Sequence, residues 1–225
     1  MAAASLPLFP LPLVLFPGAP MPLHVFEPRY RTMLSDVQAR DGRFGIIAVL
    51  DGESDGALPT GRVGCVAELR DVRMLPDGRA DILVEGTRRF AFGGFVDSAK
   101  PYHVARVADY DDELDDDVDA LDDAADLART TFGRIVTAAA TMANEAAAMP
   151  ELPDEPAELA FRIASLVDFA REECQAILVQ RSALARLRAV EALLRGALPE
   201  IEERARVHGR ARSNGHGPRN PLGTS

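Results

Sequence analysis

The sequence predicts an α+β fold in which a compact, barrel-like antiparallel sheet precedes a helical half. Three observations predict it. Eleven of the 17 glycines fall in residues 1–110, two in 111–208 and four in the last seventeen. Short β-branched or aromatic runs fill the first stretch, separated by Asp-Gly or Gly-Gly pairs at 41–42, 51–52, 77–78 and 93–94. Apolar residues at steps of three and four fill the second. The chain thus divides into a β part (1–110), an α-helical part (111–208) and a tail (209–225), which loses all apolar period and reads as disordered. At 225 residues and 47% apolar content it is long enough to bury a sizeable core.

In chain order, the run 6–16 is apolar but interrupted by Pro7, Pro10 and Pro12, so it is expected as an edge strand or extended segment rather than a central strand. A helix over 29–38 places Tyr30, Met33, Leu34 and Val37 on one face. Strands are expected at 44–50, 81–87, 89–96 and 103–110. Another is marked by Val63, Cys65, Ala67 and Leu69, which alternate with mainly polar neighbours. The helical part opens with Leu114, Val118, Leu121, Ala125, Ala128, Phe132, Ile135, Ala139 and Met142, a heptad-like seam that can pack within the chain or pair two copies as a homodimer. Gly133 weakens it by about 1 kcal/mol relative to alanine. After a turn at 150–153, Asp154 is the expected N-cap of a helix burying Leu159, Ile163, Leu166 and Ala170. A last helix over 182–198 buries Leu184, Leu187, Val190, Leu194 and Leu198 before Pro199 kinks or ends it.

Charge and composition exclude several classes of function. The net charge of −10 is local: residues 111–150 carry 11 acids and 2 bases, whereas 1–110 carry 13 and 12, and 151–225 carry 11 of each. Such a field repels phosphate backbones, so neither nucleic acid nor an anionic membrane is an expected partner. The acids at 109–123 lack the glycine and glutamate spacing of a calcium loop; they read as a solvated helix face, with a docking patch for a basic protein as the functional alternative. The apolar stretch 6–26 has no preceding Lys or Arg and holds six prolines, which excludes an export signal and points to the cytoplasm.

Catalytic and cofactor chemistry are equally unsupported. Lys100 is the only lysine, and no glycine-rich phosphate loop precedes it. Gly52-Glu53-Ser54-Asp55-Gly56 matches a nucleophile elbow formally, but the Ala-Leu-Pro-Thr-Gly that follows cannot start the required helix, so it reads as a turn. His24, His103, His208 and His216 form no ligand pair, and His24, among apolar residues, reads as a core residue. Cys65 and Cys174 match no metal or redox spacing and read as two buried thiols. No catalytic residue, metal or cofactor is expected, and the chain reads as a non-enzyme.

Five ordered segments carry a resemblance. LPLFPLPLVLFPGAPMPLHVFEPRYRTML (6–34), which includes LHVFEPRYR, is followed by GRVGCVAEL (61–69), LPDGRADILVEGTRRF (75–90) and LPDEPAELAFRIASL (152–166). Over 5–195 the chain resembles the N-terminal substrate-binding domain of Lon-type proteases, in a stand-alone form without the ATPase and protease modules. The resemblance implies a PUA-like β barrel followed by a helical subdomain, and ATP-independent recognition of unfolded or extended protein segments as an adaptor or chaperone-like factor for a separate protease. An RNA-binding PUA-like module is the alternative. Glu27, Pro28, Arg29 and Tyr30 match the family's EPRY segment, and Glu85, Gly86 and Arg88 its EGxxR segment. They read as structural, with Gly86 at a bulge or positive φ and the charged residues paired where the first helix crosses the sheet. Peptide binding is expected at exposed apolar groups or a strand edge, with Phe9, Met21, Met33, Phe92 and Phe95 as the candidates.

Overall fold

The computed structural model describes residues 4–214, with side chains from 5 to 210. Its strands are β1 (Ala4–Leu11), β2 (Pro20–Val25), β3 (Arg43–Ala48), β4 (Val63–Met74), β5 (Ala80–Phe95) and β6 (Val104–Asp109). Helix α1 (Pro28–Gln38) lies between β2 and β3, and α2 (Val118–Ala143), α3 (Pro156–Leu166), α4 (Arg171–Leu178) and α5 (Ala183–Asn214) follow the sheet.

Strand pairing closes a ring in the order β1, β3, β4, β5, β6 and back to β1, and β2 pairs with the first half of β5 alone. One expectation is corrected. The barrel is mixed, because β1 runs parallel to β3 while the other pairs are antiparallel. A parallel pair needs a long crossover, which the chain through β2 and α1 supplies. The prolines of β1 do not confine it to an edge of the sheet. Residues 4–7 pair with β6 and residues 8–11 with β3, so each half has an open side where a missing N–H is harmless.

Side chains alternate across the ring into two cores. Leu8, Ile47, Leu58, Val66, Phe90, Phe92, Ala105 and Val107 fill the barrel. Two glycines make room for Phe90: a Cβ at Gly64 would stand 2.5 Å from its ring, and one at Gly45 2.9 Å. The outer core joins α1, through Tyr30, Met33, Leu34 and Val37, to the sheet and to α2–α5.

The helical half departs from its sequence pattern at the ends. Helix α2 begins at Val118, so Leu114, Val118 and Ala139 are exposed, while Ala125, Ala128, Phe132 and Ile135 are buried. The seam packs against α5, which runs parallel to it: Asp115 meets Ser182 at one end, Arg134 meets Glu202 further along, and His208 meets Asn144 at the other. Gly133 does not interrupt the helix. Helix α3 is preceded by Glu155, not Asp154, at its N-cap and stops at Leu166, which leaves Leu166 and Ala170 exposed. Ala170 instead caps the short α4, where the Glu173 carboxylate accepts its N–H at 2.9 Å. Helix α5 continues through Pro199, whose exposed position leaves the freed carbonyl to water. Residues 209–214 of the expected disordered tail are therefore helical; 215–225 lie outside the described residues.

Candidate functional site

The two halves meet around two buried arginines that share the more exposed carboxylate of Asp112. Arg186 is wholly buried and Arg89 nearly so. Arg186 donates to both carboxylate oxygens of Asp112 at 3.1 and 2.8 Å, to the Gln180 carbonyl at 2.9 Å and to the Ala157 carbonyl at 2.7 Å. Arg89 donates to Asp112 and to the carbonyls of Leu178 and Gln180 at 2.8 and 2.7 Å. Two cations share one carboxylate, and the negative end of α4 supplies the rest of the compensation through its last carbonyls. Phe161 lies under the Arg186 guanidinium at 4.0 Å. Burial holds the Arg89 pKa below its usual value, opposed by the Asp112 charge.

The acidic run is solvated as expected, with all its acids exposed except the half-buried Asp115, but it is a helix face only in part. Only its later part is helical. Asp117 caps α2 by accepting the Ala120 N–H at 3.0 Å, Asp115 accepts from Ser182 and from the Leu184 N–H at 3.2 Å, and Glu113 bridges to Ser182 beside its ion pair with Arg181.

The EPRY and EGxxR residues make contacts that differ from the expected pairing. Pro28 opens α1, and the Tyr30 ring is buried against Phe9, its hydroxyl without a partner among the described residues and its pKa pushed up to about 12 by burial. The charged residues do not pair as one group. Arg29 bonds Glu27 at 2.9 Å and Asp55 at 2.8 Å, pinning the Gly52–Gly56 turns; Glu85 pairs with Arg70 at 3.1 Å, and Arg88 with Asp109. Gly86 sits at the bulge between β4 and β5, and it is required by close approach and not by positive φ: a Cβ there would stand 2.1 Å from the Phe16 carbonyl oxygen. Its N–H donates to Ala19 at 3.0 Å, and its carbonyl accepts from Gly18 at 2.8 Å.

The apolar candidates separate by burial. Phe9, Met33 and Phe92 are 5%, 2% and 2% exposed and belong to the two cores, which corrects the expectation that they lie on the surface. Aromatic and methionine residues on alternating strand positions and on the buried stripe of α1 were taken inward by the same periodicity that located those elements. Phe95 is half-buried at the barrel end between Phe92 and His103. Met21 alone reaches a groove. His24 is also corrected: it stands exposed on β2, its Nδ1 2.7 Å from Asp81 Oδ1 on the paired strand. Cys65 is buried, Cys174 half-buried. Among the described residues no group of three or more His, Cys, Asp or Glu side chains is placed to hold a metal, and no helix is long and apolar enough to cross a membrane. Ser54 is in the turns, with no helix after it.

The groove has a volume of about 380 Å³ and lies where the 12–21 segment faces the corner between α3 and α4. Leu13, Val14, Met21, Val167 and Phe169 line it, half-buried and continuous with the outer core. A second hollow of about 370 Å³ adjoins it across Pro20 and is bounded by Pro17, Leu152, Glu158 and Arg162. Pro12 and Pro17 lie in the stretch between β1 and β2 that stays out of the ladder, whereas Pro20 opens β2 opposite Glu85. The extended stretch was legible; the α3–α4 corner was not, since no Gly or Pro marks it.

A closed mixed barrel, a helical half locked to it by buried arginines, and a groove of mixed apolar and polar lining at the joint define a barrel-and-helix binding domain. Residues 5–196 match the ATP-dependent protease La (LON) substrate-binding domain, and the chain belongs to that family. It is 29% identical over 207 residues to a Lon protease of Syntrophus aciditrophicus, covering 88% of this chain and 26% of that protein, and 30% identical over 193 residues to one of Roseiflexus castenholzii, covering 84% and 24%. The chain thus spans about a quarter of the length of these curated relatives. The crystal structure of a Lon N-terminal domain protein from Xanthomonas campestris is similar at a TM-score of 0.59 and 27% identity, covering 84% of this chain and 98% of that one. The N-terminal domain of a Mycobacterium avium complex Lon protease shares the fold at a TM-score of 0.62 and 16% identity, covering 85% and 98%. Nothing in these matches supports the RNA-binding alternative.

Proposed function

We propose that this chain is a non-catalytic protein-recognition module that holds unfolded or extended segments in the groove beside Met21 and acts as a cytoplasmic adaptor for a separate protease. The observation that carries this reading is the groove itself: half-buried apolar side chains from the 12–21 segment and from the α3–α4 corner converge on one hollow in a substrate-binding-domain chain. Extended segments suit such a site because their side chains reach a surface hollow without refolding the host. The test is capture of a permanently unfolded, alkylated carrier protein by the wild type and by Met21→Asp and Phe169→Asp. We expect both variants to lose most of the binding while keeping the wild-type far-UV circular dichroism. Unchanged capture by both would overturn the assignment of the groove.

A further inference from the structure

We propose that the groove selects segments in which a large apolar side chain is flanked by arginine or lysine. This rests on the groove being the recognition site and adds the chemistry of what it takes. Carboxylates outnumber free cations around the groove and its adjoining hollow. Arg171 at the groove donates to the Val49 carbonyl at 3.0 Å and pairs with Asp51 at 2.9 Å, and Arg162 at the adjoining hollow donates to the Glu151 carbonyl at 3.2 Å and is the one arginine there with no carboxylate partner among the described residues. The carboxylate of Asp168 stands exposed on its rim and those of Glu151 and Glu158 on the adjoining hollow, and no ion pair engages them among the described residues. An apolar floor with an anionic rim is complementary to an apolar side chain with cationic neighbours. The Cys174 thiol in the groove reports the same field: burial, then the charges of Glu173 and Asp168, push its pKa up to about 11.

Fluorescence anisotropy on the full chain, with labelled peptides sharing a Leu-Phe-Leu core in a Gly/Ser frame, tests this. One peptide carries arginine flanks and the other glutamate flanks. At about 50 mM salt the arginine peptide should bind roughly three- to tenfold more tightly, and the gap should close near ~0.5 M. The double variant Glu158→Lys/Asp168→Lys changes only exposed side chains and should reverse the preference. Equal affinity for both peptides, or a preference that the double variant leaves in place, overturns the charge selection while the recognition site stands. Failure of both peptides, together with unchanged capture of unfolded protein by Met21→Asp, overturns the site as well. Two other occupants are also outcomes that overturn it. A dimer in sedimentation that Met21→Asp dissolves would make the groove a self-interface. A variant ending at Asn214 that binds the glutamate peptide as well as the arginine one would make the chain's own end the occupant.

Discussion

Gly86 shows how a single position can be set by its neighbour's backbone. A Cβ at this position would stand 2.1 Å from the Phe16 carbonyl oxygen, so Gly86→Ala must push the 16–19 loop off β5 and should destabilise by about 1–3 kcal/mol. Urea unfolding measures that loss. Because the same loop forms one wall of the groove, peptide affinity should fall with it. Asp112→Ala leaves Arg89 and Arg186 buried without their shared carboxylate, and we expect a loss of about 3–5 kcal/mol in the same assay. Sequence reasoning missed this cluster although a signal existed. Arg186 falls on the buried stripe of α5 with Ala183, Leu187, Val190 and Leu194, a position where an unpaired arginine is not tolerated. The thiols differ as well. Burial pushes the Cys65 pKa up to about 12 and Cys174 to about 11. At pH 7 alkylation should be far slower than for a free cysteine, with Cys174 labelled before the buried Cys65.

At the scale of elements, the joint between the sheet and α5 depends on Asp115. It accepts from Ser182, whose own Oγ accepts the Ala185 N–H at 3.0 Å at the start of α5. Burial alone raises the Asp115 pKa, but the Ser182 hydroxyl and the Leu184 and Ala183 N–H groups more than offset this and hold it below the usual carboxylate value. A depressed folded pKa contributes stability that is present above the unfolded value near about 4 and is lost as pH falls through the folded one. Asp115→Ala should therefore cost about 1 kcal/mol at pH 7. Wild type and variant should converge as the pH falls below the unfolded carboxylate value in pH-dependent urea titrations. Helix interiors were legible because Tyr30, Met33, Leu34 and Val37, or Ala125, Ala128, Phe132 and Ile135, repeat at helical spacing. Helix ends were not. Leu114 and Val118 continue the seam in sequence, but Asp117 caps the helix between them, and a cap is a local hydrogen bond that periodicity does not register.

The whole molecule behaves as one packed body in its core. Phe16, Val63 and Cys65 from the sheet half lie in the same cluster as Phe161, Leu187 and Val190 from the helices. We expect a single coincident unfolding transition by near- and far-UV circular dichroism, and no stable fold for a fragment of residues 1–110, whose outer core would face water. A separate first transition would show that the halves are independent.

What the sequence by itself determined is the order of β and helical halves, the inward face of most elements and the family. These follow from local periodicity, from turn chemistry and from short motifs. Tertiary structure alone decided that β1 lies parallel to β3, that Phe9, Met33 and Phe92 are core, which carboxylate serves Arg89 and Arg186, and that Met21 and Phe169 line one groove. Each of these joins residues far apart in the chain, and a partner chosen by closure of the barrel leaves no mark on the spacing of either residue.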